Sequence, residues 1–344
     1  MNMGETLRVA VVGAGWPGRR HIDGYRKHGS VEVVALCDMN EQRLREAADA
    51  HHVPGRYAAL DDMLAKEKPD IVSVCTPNAL HAEMSIAAMK AGAHVLVEKP
   101  MAVSAAAARE MVEISRSTGK KLMVGYQRRF IADVAYLKRA IDAGEFGELY
   151  FARAVWIRRI GIPGMGTWFT QKALAGGGAL IDIGVHVLDL ALWMFGYPDV
   201  ANVAAATGSK FGVNGRGAWH NPNRPAGTAA FDVDDFAFGH LDLGAGRSIN
   251  FEVSWAGHIK EDVMAIEVWG TEGGARLFPL EIYTTRNGVP ETITPHLRET
   301  DPFELSTGNL IAWVRGDAEP VSPGDDGVKT VEVIERIYAA AAGA

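Results

Sequence analysis

Asp182 and His186 stand four residues apart in the run Gly176-Gly177-Gly178-Ala-Leu-Ile-Asp182-Ile-Gly-Val-His186, a glycine-rich entry into an apolar segment. In a helix that spacing is about one turn, so the carboxylate and imidazole share a face and can reach one ligand or each other. An imidazole that titrates near neutrality beside a carboxylate suits proton transfer. The same pattern also fits a carboxylate capping the helix and a histidine satisfied in the core. Lys99, in the turn Glu98-Lys99-Pro100 after an apolar run, is a third candidate. A partly buried ammonium loses its proton more readily and can exchange it with a substrate hydroxyl.

The elements that must position these groups begin at the N-terminus. Leu7 to Val12 is a short apolar run ending in Gly13-Ala-Gly15-Trp16-Pro17-Gly18, and residues through Lys27 are compatible with a helix. A second buried run, Val31 to Cys37, ends in Asp38, 20 residues after Gly18. Strand, glycine turn, helix, strand and acid at that spacing form a dinucleotide-binding fingerprint. Gly13 makes the turn, Gly15 lets a pyrophosphate approach the backbone, and Gly18 lets the helix pack on the strand. Free N–H groups at the helix start attract the phosphates, and Pro17 is sterically welcome in that first turn. Asp38 would accept hydrogen bonds from the adenosine ribose and repel a 2′-phosphate, so NAD is expected in preference to NADP. Arg43 could soften that preference, but it is expected on the exposed face of the following helix instead.

Alternation continues with a helix over Glu41 to Ala50, a short helix around Asp61 to Ala65, and a strand from Asp70 to Cys75. Then come a helix from Leu80 to Ala91, a strand from His94 to Val97, a helix from Ser104 to Ser117 and a strand from Lys121 to Gly125. The pattern predicts an α/β fold whose N-terminal domain, residues 1–125, is a Rossmann doubly wound parallel sheet. Ligands in such sheets lie beyond the C-terminal strand ends. Those ends carry Gly13, Asp38, Thr76-Pro77-Asn78, Glu98-Lys99-Pro100 and Gly125-Tyr126-Gln127-Arg128-Arg129.

From about Leu149 the periodicity changes. Tyr150 to Ile157, Asp235 to Leu243, Arg247 to Trp255 and Met264 to Trp269 read as strands, with Gly244-Ala-Gly246 as a hairpin turn. With helices at Gly176 to Phe195 and Asp325 to Ala342, residues 126–344 are expected to form a C-terminal α+β domain on a mostly antiparallel open sheet, for substrate binding and oligomerisation. The stretch from Gly212 to Gly227 reads as a surface loop. Arg158 and Trp168 lie in the segment between the first of these strands and the Asp182 helix, where their side chains could reach the cleft.

The bulk numbers exclude several classes. The chain has 344 residues, 48% of them hydrophobic, with a net charge of −7, which disfavours nucleic acid and anionic membrane partners. No uninterrupted apolar run reaches membrane-spanning length, and the first residues show no signal-peptide pattern, so a cytoplasmic location is expected. Cys37 and Cys75 read as buried reduced thiols. His220, His240 and His258 lack metal-ligand spacing, and no metal is expected.

In combination, the Gly13-x-Gly15-x-x-Gly18, Thr76-Pro77-Asn78, Glu98-Lys99-Pro100 and Gly-Gly-Gly-x-x-x-Asp182-x-Gly-x-His186 motifs resemble the Gfo/Idh/MocA oxidoreductases, nearly end to end. The resemblance implies hydride transfer between a nicotinamide and a carbinol carbon of a sugar, cyclitol or sugar derivative, with NAD as cofactor and NADP as a possible substitute. It places Lys99, Asp182 and His186 at the catalytic centre. Together with the fingerprint, strand-end and loop readings above, this puts Gly13, Gly15, Trp16, Pro17, Gly18, Asp38, Thr76, Pro77, Asn78, His81, Glu98, Lys99 and Gln127 on the cofactor, and Arg128, Arg158, Trp168, Asp182 and His186 near the substrate. The resemblance also implies a cis Lys99–Pro100 bond and a homodimer or homotetramer. Trp16-Pro17 is bulkier than many members carry after the second glycine. Two alternatives stay open: an NAD-dependent glycoside-cleaving enzyme that oxidises its substrate only transiently, and a non-catalytic NAD-binding regulator.

Overall fold

The computed structural model describes residues 6–218 and 230–343. His220 and the 219–227 part of the expected surface loop lie outside the described residues. The chain divides into two compact units, residues 1–130 with 300–328 and residues 131–299 with 329–344. Residues 300–328 thus pack with the first unit and not with the second, where the boundary expected at residues 125/126 places them.

In the first unit, β1 (Leu7–Val12), β2 (Val31–Cys37), β3 (Gly55–Tyr57), β4 (Ile71–Val74), β5 (His94–Glu98) and β6 (Leu122–Gly125) form one sheet in the order β3-β2-β1-β4-β5-β6. Every pairing is parallel. This is the doubly wound arrangement, with its reversal of strand order at β1 and β4. Helices α1 (Trp16–Arg26), α2 (Glu41–Ala50), α3 (Leu60–Glu67), α4 (His81–Lys90) and α5 (Ala105–Thr118) supply the connections. Val9, Val11, Ile71, Val72, Val74, Val95 and Val97 are fully buried, as expected of parallel strands covered on both faces. The strand β3 has only three residues and no apolar run, which is why periodicity does not show it.

The second unit contains α6 (Ala132–Asp142), α7 (Lys172–Ala175), α8 (Val185–Met194) and strands β7 (Leu149–Ile157), β8 (Asn202–Gly208), β9 (Phe236–Gly244), β10 (Arg247–Ser254), β11 (Val263–Gly270), β12 (Gly274–Leu277), β13 (Glu281–Arg286) and β14 (Val289–Ile293). They form an eight-stranded sheet, β14-β13-β12-β11-β7-β10-β9-β8. Only β7 and β10 run parallel; the other pairs are antiparallel. The α/β class and mostly antiparallel second sheet match the sequence expectation. The helix α9 (Pro302–Arg315), capped by Asp301 and closed by Gly316, was not foreseen. The last helix, α10, runs Gly324–Ala342.

The single helix expected from Gly176 to Phe195 is interrupted. Residue Gly176 ends α7 in the left-handed region (φ 83°), and a π-helical turn, Leu180–Gly184, precedes α8. By length and mean hydropathy (1.5) the run Lys172–Met194 could cross a membrane, but 72% of its apolar window is buried. It packs on β7, β10 and β11 as a core helix.

His94 opens β5, and its Nδ1 accepts the Lys121 N–H at 2.9 Å. Burial, with the charges of Lys120 and Lys121, lowers its pKa to about 4. The unfolded chain, with an ordinary imidazole, therefore binds more protons between about pH 4 and pH 6.5. Stability should rise with pH across that window and be lost as pH falls through it. His94→Gln keeps an acceptor without the titration, so chemical denaturation across this range should show a flatter pH dependence than in the parent.

Candidate active site

Three backbone approaches shape the end of β1. Gly13 has φ of 99°, and a β-carbon there would lie 2.3 Å from the Cys75 carbonyl oxygen at the end of β4. A β-carbon at Gly18 would lie 1.9 Å from the Gly13 oxygen, so both positions need glycine for the protein's own packing. Gly15 differs, since its nearest neighbour would be Pro17 Cδ at 3.7 Å. The space beside it is open, as a pyrophosphate approaching the N-terminus of α1 requires. Pro17 sits in the first turn of α1, and Trp16 is largely exposed, its ring edge-on to Phe303 at 5.6 Å. The Thr76 hydroxyl, on the β4 loop, is buried without a hydrogen-bond partner among the described residues. The open space beside Gly15 fits a dinucleotide.

Asp38 closes β2 as expected, but its surroundings do not match the sequence reading. Its Oδ2 accepts the Ala14 N–H at 2.8 Å and Arg43 Nε at 2.8 Å; its Oδ1 accepts the Asn40 N–H at 2.8 Å and an Arg43 terminal nitrogen at 2.7 Å. Burial opposes charge on Asp38, but these bonds outweigh it and hold the carboxyl below its ordinary pKa. Arg43 lies on the exposed face of α2, as expected, but its side chain folds back onto Asp38, because a planar guanidinium matches a carboxylate in two parallel bonds.

Beyond β5 the Lys99–Pro100 peptide is cis. Glu98 is buried and receives the Gln127 amide at 2.5 Å, with His21 Nε2 at 2.9 Å; His21 Nδ1 lies 3.0 Å from Ser73 Oγ, which also meets the Tyr25 hydroxyl at 3.0 Å. Burial opposes the charge on Glu98, but His21, Lys99 and Gln127 outweigh it and hold its carboxyl below the usual range. Glu98 and Gln127 therefore brace one another behind Lys99. His81 is fully enclosed, with its ring nitrogens at 2.7 Å from the Pro100 oxygen and 2.8 Å from the Thr76 oxygen. Asn78 is buried, Pro77 precedes its short helical turn, and Arg128 is half-buried after β6.

In the second unit Asp182 lies in the π turn, a feature frequent at functional sites. It does not cap the segment. Asp234 does, accepting the Gly178 N–H at 2.8 Å, the Leu180 N–H at 2.9 Å and the Tyr338 hydroxyl at 2.7 Å. Burial raises the pKa of Asp234 despite those donors. Asp182 Oδ2 instead accepts the indole N–H of the buried Trp255 at 2.9 Å. The His186 ring lies 5.7 Å from Trp156, whose face carries the Arg158 guanidinium at 4.9 Å. Burial lowers the Arg158 pKa, and the carboxylates of Asp182 and Asp262 oppose that. Asp182, His186 and Arg158 are half-buried, and Trp156 on β7 meets both the His186 ring and the Arg158 guanidinium. Trp168 is stacked on Phe169 at 3.8 Å.

Sequence reasoning missed His21, Trp156, Asp234 and Trp255. His21 shares a face of α1 with Tyr25, four residues on, which was the available signal. Asp234 sits in the acidic run Asp232-Val-Asp234-Asp235, which reads equally well as solvated charge. Among the described residues no three His, Cys, Asp or Glu side chains cluster as metal ligands.

An oxidoreductase-family model for an NAD-binding Rossmann fold matches residues 7–126, and the GFO/IDH/MocA C-terminal domain matches residues 134–276. The chain belongs to the Gfo/Idh/MocA oxidoreductases. It is 35% identical to D-glucoside 3-dehydrogenase of Escherichia coli (strain K12), over 97% of this chain and 95% of that one. Among solved structures it is similar to GenD2 from gentamicin A biosynthesis in complex with NAD (TM-score 0.81, 28% identity, 99% and 96% covered). It is equally similar to an aldose-aldose oxidoreductase from Caulobacter crescentus complexed with glycerol (TM-score 0.81, 27% identity, 98% of each chain).

Asp234 and Asp182 should separate on substitution. Asp234→Ala leaves three donors without their acceptor, each worth about 1 kcal/mol or more, so unfolding free energy should drop by about 3 kcal/mol or more. Asp182→Asn keeps an acceptor for Trp255 and should stay within about 1 kcal/mol of the parent. Denaturant unfolding of both variants reads the difference.

Proposed function

We propose that this protein is an NAD-dependent dehydrogenase acting on a CH–OH group of a sugar, cyclitol or sugar derivative. The observation that carries the reading is the likeness to D-glucoside 3-dehydrogenase along 97% of the chain. Residues of the first unit would hold the dinucleotide: the Gly13–Gly18 turn on its pyrophosphate, Asp38 on the adenosine ribose, and the Thr76–Asn78 and Glu98–Lys99 loops at the nicotinamide end. When bound, the nicotinamide accepts or returns a hydride at C4.

The chain's own task is then proton movement. Oxidation of a carbinol requires the hydroxyl proton to leave as the carbon is oxidised, and His186 is assigned as the acid/base because an imidazole titrates near neutrality. Asp182, held by Trp255, orients and supports the imidazolium. Lys99 hydrogen-bonds the developing alkoxide or relays its proton. Arg158 and Trp168 are assigned to substrate recognition, with Arg128 alongside them. The free buried thiols Cys37 and Cys75 favour a reducing compartment, the cytoplasm.

On one face of the second unit's sheet Phe238, Trp269 and Tyr283 are exposed among the described residues. Their cross-strand pairings put them on the side away from Trp156 and α8. That apolar side favours a homodimer or homotetramer, and the molar mass in solution distinguishes either from a monomer.

A panel of sugars and cyclitols assayed for absorbance change with NAD should yield net NADH formation with at least one of them. Turnover of a glycoside without net NADH would favour the transient-oxidation reading instead. With the responding substrate, Lys99→Ala and His186→Ala should each lower kcat by about 10²-fold or more, the usual contribution of a general acid or base. Parent-like turnover in both would remove them from the reaction.

Arg43 tempers the choice of cofactor. Opposite charges about 4 Å apart near a surface attract by roughly 4 kcal/mol, so a carboxylate paired with a guanidinium repels a 2′-phosphate much less than a bare one. NADH should still bind tighter than NADPH in a fluorescence titration, and Arg43→Ala should widen the gap by about tenfold. An unchanged ratio would show that Arg43 does not act on this choice.

A further inference from the structure

Lys99 is flanked in sequence by two residues that are each held from below by a buried histidine. On one side His21 and Gln127 hold the Glu98 carboxylate, which also accepts the Lys99 backbone N–H at 3.2 Å. On the other side His81 lies 2.7 Å from the Pro100 carbonyl oxygen and, through its second nitrogen, 2.8 Å from the Thr76 carbonyl oxygen. Thr76 ends β4 and Pro100 follows β5, so one imidazole touches both loops at that end of the sheet. Residue His81 is 1% exposed, which leaves no room for it to contact a ligand directly. Its part is therefore different from the cofactor contact expected from the sequence.

We propose that His81 is a positioning residue that ties the Thr76 loop to the Lys99–Pro100 turn, and so sets where Lys99 and the dinucleotide-binding loop stand relative to each other. This rests on the reading of Lys99 and the Thr76 loop as parts of the reaction site. Both partners of His81 are carbonyl oxygens, which only accept. A neutral imidazole has one N–H and can bond one of them; the imidazolium bonds both. The tie is thus complete only when His81 is protonated. Burial lowers its pKa, the two carbonyl contacts and Glu98 oppose this, and Lys99 adds to it; Glu98 and Lys99 are the charged side chains that act on it.

The test uses the full chain, NADH as probe, and acetic anhydride as a trace reagent for Lys99, with peptide mass spectrometry giving acetylation relative to the exposed Lys90. None of these readouts needs turnover. In the parent, NADH affinity and relative Lys99 acetylation should both stay level near pH 7.5 and change as pH falls below the ordinary imidazole range, because burial shifts His81 protonation to lower pH. His81→Gln keeps an N–H donor without a titration, so both quantities should stay within about threefold of the parent at pH 7.5 and lose that pH dependence. His81→Leu cannot bond either carbonyl, and in a folded sample NADH should bind about tenfold more weakly, with relative Lys99 acetylation altered by at least threefold. If His81→Leu does not fold, His81→Gln decides alone. An unchanged pH dependence in His81→Gln, or parent-like NADH binding and acetylation in folded His81→Leu, overturns the proposal. Failure of the Lys99 reading shows separately, as Lys99→Ala with full turnover while the acetylation profile still responds to His81.

Discussion

The backbone at Gly13 lies so close to the Cys75 carbonyl that any β-carbon there would fall inside it. This contact ties the end of β1 to the end of β4, the two strands between which the sheet reverses its winding. A turn with a side chain would force them apart and open the crevice where a doubly wound sheet takes its ligand. Gly18 repeats the constraint one helical turn later, closing α1 onto the same turn through the Gly13 oxygen. Only Gly15 has space in front of it, and it is the one glycine of the three whose smallness serves an incoming group and not the packing of the chain.

A line of buried polar groups runs behind the next strands. Tyr25, Ser73, His21, Glu98 and Gln127 satisfy one another in a region with no solvent to substitute for a missing partner. Such a network is costly if any member is lost, because low local dielectric magnifies both the bonds and their absence. Its reward here is placement. Glu98 is kept charged and immobile immediately before Lys99, so the lysine leaves a rigid turn. The second unit reaches a similar result with different chemistry, using the buried carboxylate of Asp234 to close the N-terminus of the π turn. Asp182 is thereby released from capping, and Trp255 orients it instead.

The amino-acid sequence alone was enough for the parallel sheet and its connections, since continuous apolar strands between amphipathic helices have few other ways to bury themselves. It was also enough for the glycine turn, the acid after β2 and the Asp182–His186 spacing, which are local patterns of a few residues. It did not reveal β3, β8, β12, β13 and β14, strands whose stability comes from neighbours and not from their own periodicity. Nor did it show that Arg43 bends back onto Asp38, that His81 is enclosed, or that the helix bearing Asp182 is broken by Gly176 and a π turn. Those outcomes were decided by tertiary structure. A charged or polar side chain carries no mark of its partner in its own sequence neighbourhood; Asp234 meets Gly178 from 56 residues away, and His21 meets Glu98 from 77. Whether such groups face water or one another depends on which strands the fold lays side by side.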